Sequence, residues 1–233
     1  MIEELLPDSV VSVEAHVEEA ARSADGADGV DGVDGVILFP EEEAVVAKAV
    51  LKRRREFTAV RGCARRAMEK LGVPPQPILP GERGAPQWPA GLVGTMTHCE
   101  DYCAAALARA TDLASLGIDA EPHLPLPDGI LTAVALPAER QRLDRLTAGH
   151  PSVHWDRLLF SAKESVYKAW FPLTGLWLDF VEADIEIAPE TGRFSARLLV
   201  PGPVVGGERL GHFEGRWTVR HGLVTTAVTV CHG

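Results

Sequence analysis

The run Leu158–Trp170, LLFSAKESVYKAW, constrains this chain more than any other stretch. It is apolar enough to demand burial as a helix, yet it carries Lys163, Glu164 and Lys168. An exposed Glu164–Lys168 pair at i,i+4 is worth only ~0.3–0.5 kcal/mol. The other way to use charges on such a helix is to collect them at a reaction site. Ser161, Glu164 and Lys168 follow i, i+3, i+7 and share one face, while Leu158, Leu159, Val166, Ala169 and Trp170 supply burial elsewhere. Ser152 is placed to cap this helix.

Around it the chain alternates between helical and strand-like patterns. From Glu41 to Leu71 the apolar positions, among them Val45, Val50, Phe57, Ala64 and Met68, form one helical stripe, and Gly72 followed by Pro74 ends it. Within it Arg53, Phe57 and Arg61 fall at i, i+4 and i+8, so both arginines share a flank. Pro74–Gly91 reads as an extended connector. GLVGTMTH and YCAAALAR flank a polar turn at Cys99–Asp101 and read as a hairpin, followed by LASLGIDAE as a third strand closed by Pro122. Pro137 opens a further helix, PAERQRLDRL, in a first-turn position. The tail alternates again, with a turn near His221–Gly222. Helices and mostly adjacent strands occur in both halves, which favours an α+β class. The Pro-rich stretch at Pro122–Pro127 suggests a seam, dividing the chain into residues 1–121 and 122–233.

The chain has 233 residues and a net charge of −10, long enough for a substantial core. Its acidic start lacks a basic segment followed by an apolar one, and no run reaches the ~18 apolar residues that span a bilayer. A soluble, cytoplasmic protein without membrane partners is expected. Cys63, Cys99, Cys103 and Cys231 show no disulfide framework, and His98, Cys99 and Cys103 lack the second ligand pair of a zinc site. Between Lys48 and Arg83 ten basic residues face three acidic ones, an excess of seven positive charges, so the remainder carries an excess of seventeen negative ones. Such an island suits a local anion site more than a nucleic-acid track, because a long polyphosphate would be repelled elsewhere. The Asp-Gly repeat at 25–36 reads as a flexible surface loop.

The sharpest chemical signal is Gly117–His123, GIDAEPH. On a strand Asp119 and Glu121 point to one face and Ile118 and Ala120 to the other. Alone, a DxE pair is an exposed strand end. Two adjacent carboxylates without an imidazole suit a hard cation such as Mg²⁺, which takes a few carboxylates plus substrate phosphates. If the helix face bearing Glu164 meets this strand end, Glu164 becomes a third carboxylate, and Lys168 sits where a phosphate oxygen arrives. That set describes phosphoryl-type chemistry on a polyanionic small molecule. A metal-dependent nuclease would need a longer basic track, and a nucleotide-binding regulatory module would need neither Lys168 nor three carboxylates.

Gly117-Ile118-Asp119-Ala120-Glu121 and Phe160-Ser161-Ala162-Lys163-Glu164-Ser165-Val166-Tyr167-Lys168 together resemble the GxDxE and WxxKEAxxK signatures of Sfp-type 4′-phosphopantetheinyl transferases. RRREFTAVRGCARRAMEKLG, PILPGERGAPQWPAG and THC extend the likeness over roughly 52–180, most closely to the EntD-like and PptT-like subgroup. The resemblance implies a pseudo-twofold α+β fold of two similar halves and a monomer, with coenzyme A and Mg²⁺ (or Mn²⁺) held between the halves. It implies transfer of phosphopantetheine to a serine of an apo acyl or peptidyl carrier protein of fatty-acid, polyketide, nonribosomal-peptide or siderophore assembly. By the same resemblance Asp119, Glu121 and Glu164 match metal ligands, and Lys168 matches the lysine at the pyrophosphate. Thr97, His98 and Lys163 match coenzyme A contacts, His98 and Lys163 at its phosphates. Arg53 and Arg61 match arginines at the nucleotide end, with Arg83 a third basic contact. Glu164 or Glu121 would take the proton from the serine. Phe160 and Ser165 replace the family's usual Trp and Ala, and GERGAP lacks its usual Gly-Lys-Pro.

Overall fold

A computed structural model describes residues 1–16 and 36–233; residues 25–35 of the Asp-Gly repeat lie outside them. Two long helices, each laid on an antiparallel sheet, organise the molecule. In the first unit β1 (Val11–His16), β2 (Leu92–Cys99) and β3 (Tyr102–Arg109) form a sheet ordered β1-β3-β2. The expected hairpin turns at Glu100, which adopts a positive φ of 42°. Alternation along β3 splits it between two cores. Cys103, Ala105 and Leu107 meet Ala59, Val60, Cys63, Ala64, Ala67 and Met68 of helix α2 (Leu51–Lys70), while Ala104, Ala106 and Ala108 face inward with Leu116, Ile118 and Ala120.

The expected continuous helix over 41–71 is instead two, α1 (Pro40–Val46) and α2, separated at Ala47–Val50. The break folds α1 back along α2. Glu42, fully buried, pairs with Arg65 and accepts from the backbone N–H of Phe39 (3.0 Å) and of Ile78 (2.9 Å). In one straight helix Glu42 and Arg65 would lie ~35 Å apart. Val45 and Val50, expected in the stripe, are exposed as a result.

The second unit is a five-stranded antiparallel sheet, β4-β10-β9-β6-β5. Its strands are β4 (Ser115–Pro122), β5 (Ala183–Ala188), β6 (Arg193–Leu198), β9 (His212–Arg220) and β10 (Leu223–Val230), with a two-stranded ribbon of β7 (Val204–Val205) and β8 (Glu208–Arg209) aside. Two short-range expectations hold: β9 and β10 turn at His221–Gly222, and Pro137 starts α4 (Pro137–Gly149). Helix α3 (Ile130–Val134) precedes it, and α5 (Trp155–Thr174) covers the sheet. Trp155, Leu158, Leu159, Ala162, Val166, Ala169 and Trp170 of α5 pack into one core with Phe194, Val224 and Val228. Helix α5 begins after His154 rather than under a Ser152 cap, and it ends at Gly175, which takes the left-handed φ of 66° that favours glycine.

β4 pairs with β10 along its whole length, Ser115 to Pro122, so the strand of Asp119 and Glu121 belongs to the second sheet. Its other edge faces β2, whose threonine side chains complete it. Thr95 Oγ1 accepts from Ile118 N (3.2 Å) and Thr97 Oγ1 from Ala120 N (3.1 Å). Two hydroxyls thus satisfy edge donors that a buried strand cannot leave bare, and they fix one sheet against the other where the site lies.

Candidate active site

Helix α5 and strand β4 approach as closely as backbone allows. A Cβ at Gly117 would lie 2.0 Å from the carbonyl oxygen of Ser165 and 2.7 Å from the amide nitrogen of Ala169. Glycine at this place is a packing requirement, and the small buried Ser165 opposite it serves the same contact. The odd-numbered residues of β4 therefore all meet α5: the Ser115 hydroxyl donates to Ala169 O (2.8 Å), and Lys168 Nζ donates to Asp119 Oδ1 (2.8 Å) and Ile118 O (3.0 Å). Thr97 Oγ1 donates to the same Asp119 oxygen at 3.3 Å.

Asp119 is 4% exposed, and its second oxygen, Oδ2, is buried with no hydrogen-bond partner among the described residues. A buried carboxylate oxygen without a donor is costly, and a bound cation is a natural partner. Glu164 lies one turn before Lys168 on α5 and is half-buried. Burial raises its pKa, Lys168 opposes the shift and Asp119 adds to it. Glu121 is also raised by burial and by Asp119, against the pull of Arg157 and Lys168. All-oxygen donors and an orphaned Asp119 oxygen fit Mg²⁺ or Mn²⁺. No three His, Cys, Asp or Glu side chains among the described residues already form a closed cage, and an ion completed by water and phosphate oxygens does not need one.

Arg157 went unnoticed in the sequence. Its Nη1 donates to Glu121 Oε2 (2.8 Å), while Nε and Nη2 hold the carbonyls of Leu124 (3.0 Å) and Pro125 (2.9 Å). The signal was available, because Arg157 precedes Ser161 by four residues and extends the face of Glu164 and Lys168 by one turn.

The basic residues divide three ways. Arg53, 54% exposed, meets His98 across the sheet edge (Nη1 to Nε2, 2.8 Å), with Glu56 beside both. Burial lowers the pKa of His98, Glu56 opposes this, and Arg53 and Lys168 reinforce it. Arg61 turns inward: its Nε donates to Ile78 O (3.1 Å), its guanidinium lies 3.2 Å from the Phe57 ring centroid, and burial pulls its pKa down to about 10. Arg83, at a positive φ of 53°, lies over the Trp177 ring at 5.2 Å. Trp177 in turn walls a cleft of about 130 Å³ with Lys163, Glu164, Tyr167, Leu178 and Phe180.

Lys163 is engaged within the protein. Its neighbour Glu164 faces β4, but Lys163 lies ~100° around the helix and points into the second core. Its side chain is 2% exposed and its ammonium donates to Glu139 Oε2 (2.8 Å), Phe180 O (2.6 Å) and Ala183 O (3.0 Å). All three donors are used within the protein, in a buried ion pair with Glu139 and two backbone hydrogen bonds. The thiols do not form a site either. Burial and Glu121 push Cys99 up to about 12, and Cys63 and Cys103, with sulfurs 3.7 Å apart, are buried and free.

Two antiparallel α–β units thus meet through Thr95 and Thr97, with carboxylates and a lysine at the junction. Residues 41–108 match the 4′-phosphopantetheinyl transferase N-terminal domain, and residues 115–220 match the 4′-phosphopantetheinyl transferase superfamily. The chain is 65% identical over 194 residues to 4′-phosphopantetheinyl transferase Svp of Streptomyces mobaraensis, covering 83% of this chain and 79% of that protein. It is 50% identical over 195 residues to 4′-phosphopantetheinyl transferase PptT of Mycobacterium tuberculosis, covering 82% and 85%. Enterobactin synthase component D of Salmonella typhi is 34% identical over 121 residues, covering 51% and 49%. This chain belongs to the 4′-phosphopantetheinyl transferase superfamily and is a transferase.

Proposed function

We propose that this enzyme moves the 4′-phosphopantetheine arm of coenzyme A onto a serine of an apo acyl or peptidyl carrier protein, releasing adenosine 3′,5′-bisphosphate. The observation that carries the reading is the junction of β4 and α5. There the unpartnered Asp119 oxygen, the Lys168 ammonium and the half-buried Glu164 lie together. Asp119, Glu121 and Glu164 would hold Mg²⁺ or Mn²⁺, which supplies charge neutralisation at the pyrophosphate. Arg53 and His98 form the rim for the nucleotide phosphates, with Thr97 beneath and Arg61 backing it. Arg83 serves the side of the Trp177 cleft, whose aromatic lining suits the pantetheine arm.

Lys168 supplies positive charge where the leaving bisphosphate develops its own. Glu164 accepts the serine proton as the serine oxygen bonds to the β-phosphorus and the bond to the departing phosphate breaks. Of the two carboxylates considered, Glu121 is held by Arg157, whereas Glu164 has no ion pair among the described residues.

The same reading takes the two units as pseudo-twofold halves of a monomeric, cytoplasmic protein. Each carries a 20-residue helix on an antiparallel sheet, preceded by a short helix with proline at its start and a buried glutamate two residues later, Glu42 and Glu139. No described helix is long and apolar enough to cross a membrane. The test is to incubate the protein with coenzyme A, Mg²⁺ and several apo carrier proteins and weigh the carriers. A phosphopantetheine mass gain on at least one is expected; none on any would overturn the proposal.

A further inference from the structure

Glu139 is 1% exposed and ties together three structural elements, α4, α5 and β5. Its Oε2 accepts from Leu136 N at the start of α4 (2.7 Å) and from Lys163 of α5, and its Oε1 accepts from Ile185 N of β5 (2.7 Å). Lys163 extends this node to the carbonyls of Phe180 and Ala183, the turn leading from the cleft wall into β5. Phe180 stacks on Phe160 of α5 with ring centroids 5.7 Å apart, and Trp177 lies 5.0 Å from Tyr167. The 177–183 segment thus rests on α5 at two aromatic contacts with one ammonium between its backbone and the helix. Lys163, Glu164 and Tyr167 line the cleft from the α5 side, the Lys163 ammonium being engaged by Glu139 and the two carbonyls.

We propose that Lys163 is a positioning residue, which through Glu139 and the carbonyls of Phe180 and Ala183 sets the Trp177–Phe180 wall at its working distance from Glu164. The role rests on the transfer reading above, because it is exercised on a substrate lodged beside Glu164. Lys163 touches neither phosphate nor reacting atoms. Removing the ammonium alone leaves the Glu139 carboxylate buried without its cation, and neutralising both partners removes that penalty. A phosphate ligand has the opposite signature, since no change at Glu139 restores a lost phosphate contact.

The first test uses the wild-type protein: sparse acylation of amines, read residue by residue by mass spectrometry, with and without coenzyme A. Lys163 should stay unmodified in both samples while Lys52, whose side chain is 77% exposed, reacts. Labelling of Lys163 that coenzyme A suppresses would overturn the proposal, whether or not transfer is observed. The second test compares Lys163→Met with Lys163→Met/Glu139→Gln. The single variant should lose about tenfold or more in kcat/KM for coenzyme A, and the double variant should regain at least about threefold. Inhibition by adenosine 3′,5′-bisphosphate, which lacks the arm, should change by less than about twofold in both. A fully active single variant, or a double variant no better than the single with bisphosphate inhibition weakened, contradicts the positioning role. Should Lys163→Met fail to fold, the acylation pattern decides. Loss of transfer in the wild type would instead count against the transferase reading, and leaves the acylation result standing.

Discussion

The two long helices are held by the same device and leave different chemistry free. Under α2, the buried Glu42 binds Arg65, the N–H of Phe39 and the N–H of Ile78; under α5, the buried Glu139 binds Lys163, the N–H of Leu136 and the N–H of Ile185. Each glutamate closes the start of the preceding short helix, neutralises one cation of the long helix and pins a distant backbone segment. In the first unit the node also draws in Arg61, and what remains outside is the exposed Arg53 with His98, a cationic rim. In the second unit the node absorbs Lys163, and what remains is Glu164 and Lys168 turned toward Asp119. A motif lysine and a motif glutamate one residue apart therefore sit differently: Lys163 is locked in a buried ion pair, whereas Glu164 stays half-buried beside Lys168.

The largest effect is expected inside the second unit, where β4 packs on α5. Gly117→Ala forces a methyl into the Ser165 carbonyl and should cost ~3 kcal/mol or more, lowering the melting temperature and the transfer rate together. Gly149→Ala, with open space around its Cβ position, should leave both near wild type. Thermal melts of the two variants check this. Next, Glu42→Gln and Glu139→Gln should each cost ~2–4 kcal/mol by stranding a buried cation. Denaturant titration reads that loss, and at a temperature where both variants are folded only Glu139→Gln should also slow transfer, because only its node borders the Glu164 cleft.

Arg157→Ala should reduce kcat/KM by about tenfold, as Glu121 loses its anchor and the connector at Leu124–Pro125 its clamp. Arginine lowers the Glu121 pKa against burial, so its removal should also move the acid limb of the pH–rate profile to higher pH. The smallest effect is at His98. In the free protein burial holds its pKa below the usual 6.5, so it is mainly neutral at pH 7. A bound phosphate favours the charged form and should raise it. Histidine NMR titrations with and without coenzyme A measure the difference, and an unmoved His98 would exclude it from the phosphate rim.

Much of this was legible in the chain because it depends on local chemistry. The hairpin at Glu100, the turn at His221–Gly222, the Pro137 start of α4 and the shared face of Asp119 and Glu121 all follow from turn residues and from the period of two. Alternation correctly set Asp119 and Glu121 toward one side. Tertiary facts were less accessible. The break before Leu51 is stabilised by the Glu42–Arg65 pair across 23 positions, which no helical wheel displays. β4 looks like the third strand of a local meander, yet it finds its partner more than a hundred residues later in β10. The inward turn of Lys163 was readable after all. It falls at i+4 from Leu159, i−3 from Val166 and i−7 from Trp170, on the core side of the helix. The family signature drew it toward the substrate; its place on the helix wheel draws it into the core.

In the proposed reaction Asp119 of β4 and Glu164 of α5 face a cation and a pyrophosphate. The most direct test measures phosphopantetheine transfer by carrier mass for wild type, Asp119→Ala and Glu164→Gln, with melting temperatures recorded alongside. The predicted result is a loss of about 10²–10³ or more in rate for each variant, with the fold retained. Wild-type transfer in either variant would contradict the account.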